Sequence, residues 1–173
     1  ANTTASFNTA VGRNALDANT TGAENTSVGA NALGANVSGN YNVAVGVNAL
    51  EDNTASYNTS VGYKSLEANT TGDYNVAVGG LSLDANTTGV KNVALGFGAL
   101  SDNTTGSYNI AIGENCLADN TTADGNLAIG MDALRLNTTG ANNVAVGQAV
   151  LYQNTTGGQN TAMGNSALNK NTT

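Results

Sequence analysis

The sequence predicts an all-β protein, a parallel β-solenoid in which one 17-residue repeat makes one turn of the chain. The first observation is a tandem repeat. The motif Asn-x-Ala/Ser-aliphatic-Gly occurs ten times, and successive copies start 17 residues apart except for one step of 16. The second is that glycine closes every motif and Asn-Thr-Thr-Gly or a close variant follows, which excludes a helix. The copies begin at Asn8, Asn25, Asn42, Asn58, Asn75, Asn92, Asn109, Asn126, Asn143 and Asn160.

The repeats form a single array over residues 1–173, in which residues 1–7 belong to a partial repeat before the first motif. Repeat positions are numbered here from the asparagine that opens each motif. The third repeat is one residue short, and the deletion lies in its turn at 53–57, where we expect it to disturb no core position. Ordinary repeat residues stand at both ends, so we expect a slice of a longer fibre.

Each repeat is predicted to consist of a strand, a bend, a shorter strand and a wide turn. Positions 2 to 4, such as Val76, Ala77 and Val78, form a β-branched run between Asn and Gly, which is typical of a short strand. A second extended segment is expected at positions 7 to 9. Asn and Gly tolerate positive φ, so we expect corners at position 5 and at positions 12 to 15. A lone repeat buries too little to offset its ordering entropy, so the repeats must stack in parallel, about 4.8 Å apart.

The most regular positions predict the core. Leucine at position 9 and the aliphatic residue at position 4 are expected to stack into two apolar columns, while small residues at positions 3 and 8 let the opposite walls approach. Asparagines at positions 1 and 12 are expected to form two amide ladders that also cap the corners. The structural core ladder consists of Leu16, Leu33, Leu50, Leu66, Leu83, Leu100, Leu117, Leu134, Leu151 and Leu168.

Two less regular positions bear on packing. Position 2 alternates between Thr and Val, Ile or Leu, which indicates a half-covered side chain and favours packing against copies of the same chain. Position 17 predicts a partial aromatic column over the first part of the chain. Its members are Phe7, Tyr41, Tyr57, Tyr74 and Tyr108.

The composition excludes several functional classes. The net charge is −7, and the five basic residues are dispersed along the chain, so no basic stripe for nucleic acid exists. No run of about 18 apolar residues occurs, so we expect no membrane insertion. The sequence has no His and no Ser or Cys nucleophile beside an evident base. We therefore expect neither catalysis nor a cofactor.

Two sets of side chains could carry chemistry. Asp17, Glu51, Glu67 and Asp84 share position 10, where stacking would place them about 5 or 10 Å apart. A cation-binding strip is one interpretation and a solvated, solubilising face the simpler one, so no metal site is predicted. Cys116 occupies position 8, where other repeats carry small residues, and we interpret it as a buried apolar residue rather than a reactive thiol.

The threonine-rich turns allow two further hypotheses. Asparagine at position 12 opens an Asn-x-Ser/Thr triplet, which in an extracellular protein would be a glycan acceptor on an outward turn, although Asn-Thr-Thr-Gly is also plain turn chemistry. A regular threonine array is also typical of ice-binding proteins, but adjacent threonines point to opposite sides of the chain. The candidate glycan acceptors are Asn2, Asn19, Asn36, Asn69, Asn86, Asn103, Asn120, Asn137, Asn154 and Asn171.

The motif Asn-Val-Ala-Val-Gly-x-x-Ala-Leu followed by Asn-Thr-Thr-Gly resembles the head repeats of trimeric autotransporter adhesins and the Asn-Thr-Ala-Ile-Gly-type repeats of phage tail-fibre and tail-fibre-like surface proteins. The resemblance covers essentially all of residues 1–173. It implies a left-handed parallel β-roll and three chains side by side, with the strand of each motif facing the trimer centre. The 17-residue period is longer than that of the commoner adhesin head repeat.

The sequence thus favours a non-enzymatic structural shaft of an extracellular fibre, a phage tail fibre or a bacterial surface adhesin located on a virion or cell surface. We expect its partners to be copies of itself in a homotrimer, and a cell-surface receptor or glycan. The alternative is an extracellular filament whose subunits stack end to end, with or without glycosylation. A more remote alternative is an ice-binding solenoid.

Overall fold

The computed structural model describes residues 4–173 and shows a parallel β-solenoid of about nine turns. Ten three-residue strands form one sheet, and each strand pairs in parallel with the next along the chain. No residue of the described range is helical. The strands are β1 (Thr9–Val11), β2 (Thr26–Val28), β3 (Val43–Val45), β4 (Thr59–Val61), β5 (Val76–Val78), β6 (Val93–Leu95), β7 (Ile110–Ile112), β8 (Leu127–Ile129), β9 (Val144–Val146) and β10 (Thr161–Met163).

Equivalent residues of successive repeats are direct neighbours. Val78 pairs with Leu95, one period further along the chain. The short third repeat keeps this register, because Val45 pairs with Val61 although only 16 residues separate them. The sequence-based expectation that residues one repeat apart lie over one another is therefore confirmed.

The deletion nevertheless reaches the interior, contrary to the expectation that it would disturb no core position. The amide nitrogen of Asn53 donates to the carbonyl of Ala55, 2.9 Å away within its own turn. Its counterparts, such as Asn86, make this bond and also donate to the asparagine of the preceding rung, whereas the side-chain oxygen of Asn36, in the rung before Asn53, is buried without a hydrogen-bond partner. The ladder resumes one rung later, where Asn69 donates to Asn53 over 2.7 Å.

The predicted second strand at positions 7 to 9 is wrong. This segment is a turn in which the sign of φ alternates from position 5 to position 9, as at Gly29 (φ 139°), Asn31 (φ 58°) and Leu33 (φ 49°). Backbone hydrogen bonds between rungs continue through it, for example from Leu33 N to Ala49 O at 3.1 Å. The corner predicted at position 5 is confirmed. Position 17 is also left-handed. The chain bends at positions 13 and 14 as predicted, but no residue described at positions 12 to 15 has positive φ, so the reason given for that corner is wrong.

The strands turn their middle residue inward. Ala77 is completely buried, whereas Val76 is half-buried and Val78 is 39% exposed on the opposite face. The prediction that position 4 forms an inner apolar column is therefore wrong, because the inner column of the sheet is the Ala or Ser of position 3. Side-chain alternation then sends positions 2 and 4 outward together.

The core is consequently thin and partly polar. It consists of the small residues of positions 3 and 8, leucine at position 9, and the asparagines of positions 1 and 12. Eight leucines of the ladder, from Leu33 to Leu151, are completely buried and Leu16 nearly so, whereas Leu168 in the last turn is 52% exposed. Where position 3 is serine, its hydroxyl is satisfied, as when Ser27 donates to the carbonyl of Ala32 at 2.7 Å.

Both asparagine columns lie inside. At position 12 the amides form the predicted ladder, in which Asn103 donates to Asn86 over 2.9 Å. At position 1 the arrangement differs in part, because the side-chain oxygen mostly accepts a backbone N–H of the next rung, as Asn25 accepts from Asn42 N at 2.9 Å. Its amide nitrogen caps the corner, from Asn25 to Gly39 O at 2.8 Å.

Candidate functional site

The outer face of the sheet is an apolar surface that runs along the array. It consists of the side chains at positions 2 and 4 of each repeat, and we call it the outer strand face. All of them are Thr, Val, Ile, Leu or Met, without a charged residue. They are partly open to solvent in the single chain; Val45 and Ile110, for example, are 36% and 38% exposed. A continuous row of half-exposed aliphatic side chains is unusual on the surface of a monomeric soluble protein.

Sequence reasoning identified this face only in part, because it treated position 2 as half-covered but assigned position 4 to the interior. A signal was present in the residue types. Position 3 is restricted to Ala and Ser in all ten repeats, whereas position 4 accepts Val, Leu, Ile and Met. A site that tolerates only the smallest side chains is the one closed by a fixed opposite wall, and a site that tolerates several sizes is open.

Position 6, which directly follows the glycine bend, adds further exposed apolar side chains. Val47 is 47% exposed, Tyr63 and Phe97 are each 56% exposed, and Met131 is 41% exposed. The Phe97 ring leans toward Gly80 of the preceding rung, whose missing side chain leaves room for it. Four other repeats carry Arg, Glu, Gln or Asn at this position, and the remaining two carry Ala or Gly. Its chemistry therefore varies from rung to rung, unlike that of the outer strand face.

The aromatic column of position 17 is confirmed over three consecutive rungs. The ring centroids of Tyr41 and Tyr57 lie 4.9 Å apart, as do those of Tyr57 and Tyr74, and the planes are nearly parallel. Partial desolvation, followed by the neighbouring Tyr41 and Tyr74, raises the pKa of Tyr57. The stack stops on both sides, because the adjoining rungs carry Glu24 and Lys91 at this position.

The candidate glycan acceptors lie inside the solenoid, so their predicted outward placement is wrong. The amide nitrogen of Asn86 donates both to Asn69, at 2.8 Å, and to the carbonyl of Gly89, at 3.0 Å. This nitrogen is the atom to which a glycan would be attached. Asn171 is partly buried with the same two kinds of bond, and Asn2 lies outside the described residues. The completely buried acceptors are Asn19, Asn36, Asn69, Asn86, Asn103, Asn120, Asn137 and Asn154.

The acidic column of position 10 makes local electrostatic contacts. Lys64 pairs with Glu67 at 3.2 Å, and Asn48 donates to the other oxygen of that carboxylate at 3.0 Å. Desolvation, followed by Asp102 and Glu67, raises the pKa of Asp84 to about 6, and one of its oxygens is buried without a partner. Within residues 4–173, no three His, Cys, Asp or Glu side chains are arranged to hold a metal ion.

Cys116 is completely buried in the small-residue column of position 8. Desolvation raises the pKa of its thiol to about 12, so the thiol stays protonated at neutral pH. Since the thiolate is the nucleophilic form, this cysteine is a core residue and not a reactive group.

None of the protein-family models, curated proteins or solved structures compared with the chain matches it. Between residues 4 and 173, no helix is long and apolar enough to cross a membrane. The likeness to fibre and adhesin repeats therefore depends on the repeat motif itself.

Proposed function

We propose that the chain is a structural shaft of an extracellular fibre, without catalytic activity, in which three copies associate side by side through the outer strand face. Such a shaft supplies reach and stiffness, and it displays variable side chains to the surroundings. The proposal combines the resemblance of the repeat motif to fibre and adhesin repeats with the architecture of the solenoid. The source of the fibre, a phage tail or a bacterial surface, is left open.

The observation that carries the proposal is the apolar outer strand face. In a lone chain, partly exposed residues such as Val78 and Ile110 leave apolar surface in water along ten rungs, which span roughly 45 Å at about 4.8 Å per rung. Burying that surface against copies of itself would be favourable by about 25 cal/mol per Å². Thr at position 2 in some repeats fits a partly covered contact, because its methyl packs and its hydroxyl can stay hydrated.

The display role follows from the separation of constant and variable positions. Inward positions repeat nearly unchanged, whereas positions 6, 10, 16 and 17 carry most of the aromatic and charged residues. Replacing such side chains leaves the ladder of the core intact. Contacts with a cell-surface receptor or glycan are therefore expected to use these positions.

Light scattering on the purified chain tests the proposal directly. We expect a discrete mass of three chains for the unmodified protein. The double variant Val78→Asp with Ile110→Asp places two carboxylates on the outer strand face, where one chain alone tolerates them because both sites are exposed to solvent. We expect it to be a monomer with an unchanged circular dichroism spectrum, because a buried unpaired carboxylate would prevent association.

The matched control is Thr71→Asp with Thr105→Asp, which adds the same charge on the exposed turn. This control should remain a trimer. A monomeric unmodified protein, or equal association of both double variants, would overturn the proposal. An indefinite polymer would instead support the alternative of a filament that grows end to end.

The ice-binding alternative receives little support from the turns. Threonine hydroxyls at position 13 donate to the carbonyl of the next rung, as Thr87 does to Thr104 at 3.0 Å. In the described turns between rungs, the exposed position-14 threonines, such as Thr88 and Thr139, have hydroxyls outside this network and form a single row. An ice-binding plane needs order in two dimensions, and a thermal-hysteresis measurement on the purified chain should show none.

A further inference from the structure

The tyrosine stack of position 17 brings three oxidisable rings into a fixed order on the surface. Tyr41, Tyr57 and Tyr74 are 46%, 47% and 52% exposed, so reagents can reach each of them. Their interplanar angles are 15° and 6°, and each centroid separation is 4.9 Å. Successive rings therefore face each other at about the spacing of the rungs, with roughly half of each side chain exposed.

We propose that this stack is an oxidative cross-linking site, at which a one-electron oxidant of the haem peroxidase class, using hydrogen peroxide, joins neighbouring tyrosines as dityrosine. The oxidant removes one electron and one proton from each of two phenols. The two phenoxyl radicals then form one carbon–carbon bond between ring carbons next to the hydroxyls. Each of these carbons releases its hydrogen as a proton while the phenol oxygen regains one. The net loss of two hydrogens reduces one hydrogen peroxide to two waters.

The position of the stack gives the cross-link a structural effect. Tyr57 closes the shortened turn of the third repeat, the turn that also breaks the internal amide ladder at Asn36. A covalent bond from Tyr57 to Tyr41 joins the rungs on either side of this break, whereas a bond from Tyr57 to Tyr74 joins the shortened turn to the next rung, where Asn69 continues the ladder. The Tyr41 to Tyr57 bond therefore restrains the chain where one hydrogen bond of the amide ladder is missing.

The geometry of the stack also favours cross-linking of its own three tyrosines over the other tyrosines of the chain. Among residues 4–173, no other tyrosine pair has stacked rings. Tyr108 is two rungs from Tyr74, and the ammonium of Lys91, in the rung between them, lies 5.1 Å from the Tyr108 ring centroid. Tyr63 is exposed but stands at position 6, where its neighbours in the adjoining rungs are Val47 and Gly80.

Peroxidase treatment of the dilute protein followed by trypsin digestion tests the proposal. Trypsin cuts after Lys64 and Lys91, so a bond between Tyr57 and Tyr74 joins peptide 14–64 to peptide 65–91, with two hydrogens fewer than the two peptides together. A bond between Tyr41 and Tyr57 leaves peptide 14–64 lighter by two hydrogens. We expect these products and blue dityrosine fluorescence, with both tyrosines of each bond in the same chain.

The variant Tyr57→Phe keeps a ring in the stack but removes its phenol. Dityrosine fluorescence should fall at least about fivefold, because Tyr41 and Tyr74 then remain about 10 Å apart across two rungs. The matched control Tyr63→Phe should leave the yield unchanged. Equal yields from the two variants, bonds through Tyr63, Tyr108 or Tyr152, bonds only between chains, or no product would each overturn the proposal.

A second measurement tests the structural effect. A Tyr57 to Tyr74 bond closes a loop of 17 residues, and by analogy with a disulfide it should raise the melting temperature by about 5 to 10 °C. The treated Tyr57→Phe variant should melt as it does before treatment. A treated native chain whose melting temperature is unchanged would overturn the claim that the bond restrains the rungs.

Discussion

At the scale of single residues, the leucine of position 9 shows how far the core constrains the backbone. All ten leucines have φ between 49° and 55°, a region that branched aliphatic residues seldom occupy. The alternating signs of φ keep backbone donors and acceptors directed along the solenoid axis, and the leucine side chain then points into the core. Complete burial of eight of these side chains, at about 1.5 to 3 kcal/mol each, offsets a local strain of about 1 to 3 kcal/mol.

Asp84 is the residue at which stability should depend on pH. Burial raises its pKa in the folded chain to about 6, above its ordinary value of 3.8. Between these two values the folded chain binds more protons than the unfolded one, so stability falls as pH rises through this window. We expect a higher melting temperature at pH 5 than at pH 7. The pKa of Glu51 and that of Asp119 are raised as well, which acts in the same direction.

The variant Asp84→Asn tests this assignment. It should melt at a higher temperature than the native chain at pH 7 and lose most of the difference between pH 5 and pH 7. Glu114→Gln, which removes one charge at an exposed site, should retain that difference. If both variants keep the native pH profile, Asp84 is not the group responsible.

At the scale of elements, the bend after each strand depends on glycine. Position 5 is glycine in all ten repeats, with φ between 112° and 142°. A side chain at Gly79 would need this unfavourable φ, and its Cβ would collide with the carbonyl of Gly96 in the next rung. Gly80, the next residue, lacks both constraints, because its φ is ordinary and its nearest neighbour is the Phe97 ring at 3.5 Å. Neighbouring glycines in one sequence thus have different roles.

Gly79→Ala should therefore lower the free energy of unfolding by about 1 to 3 kcal/mol or more, since the strain at an unfavourable φ is of that size. Gly80→Ala should change it by no more than about 0.5 kcal/mol, as expected for a surface substitution. The second repeat already carries Ala30 at the same position. Urea denaturation of both variants measures the two values, and similar losses would contradict the assigned difference between the bend and the outer surface.

At the scale of the whole molecule, the chain is a rod whose rungs bond to both neighbours all round the circumference. Thr26 N donates to Asn42 O of the following rung at 2.8 Å, whereas Gly29 N donates to Val11 O of the preceding rung at 2.8 Å. Backbone N–H groups at positions 9, 11 and 13 donate to the following rung, and those at positions 7 and 17 donate to the preceding rung. This two-way bonding resists both shear and separation of rungs, which is the mechanical property that a fibre shaft requires.

Single-residue deletions should be tolerated in the turn and not in the strand. Deleting Thr105 copies the natural deletion of the third repeat, and should cost about 1 to 3 kcal/mol for the interrupted amide ladder. Deleting Ala94 should prevent a cooperative thermal transition, because a one-residue shift turns Leu95 toward a space that fits only Ala or Ser. Circular dichroism melts of the two deletions compare them, and equal melting temperatures would contradict the assignment of inside and outside.

Repetition alone determined much of this protein. Because every residue has an equivalent one period away, the pairing of Val78 with Leu95, the leucine ladder and the amide ladder of position 12 all followed from the sequence. The tyrosine stack followed as well, since identical side chains in register must lie over one another.

Only the tertiary structure decided which face of each strand lies inside. Side chains alternate along a strand, so positions 2 and 4 share one face of the sheet. A strand of three residues is too short for its sequence to show which of the two faces is buried. That choice depends on the distance to the opposite wall, where leucine and the buried asparagines leave room for Ala or Ser alone. The alternating sign of φ at positions 5 to 9 could not be predicted from the sequence for a similar reason. Leucine avoids positive φ except where packing against neighbouring rungs compensates for it.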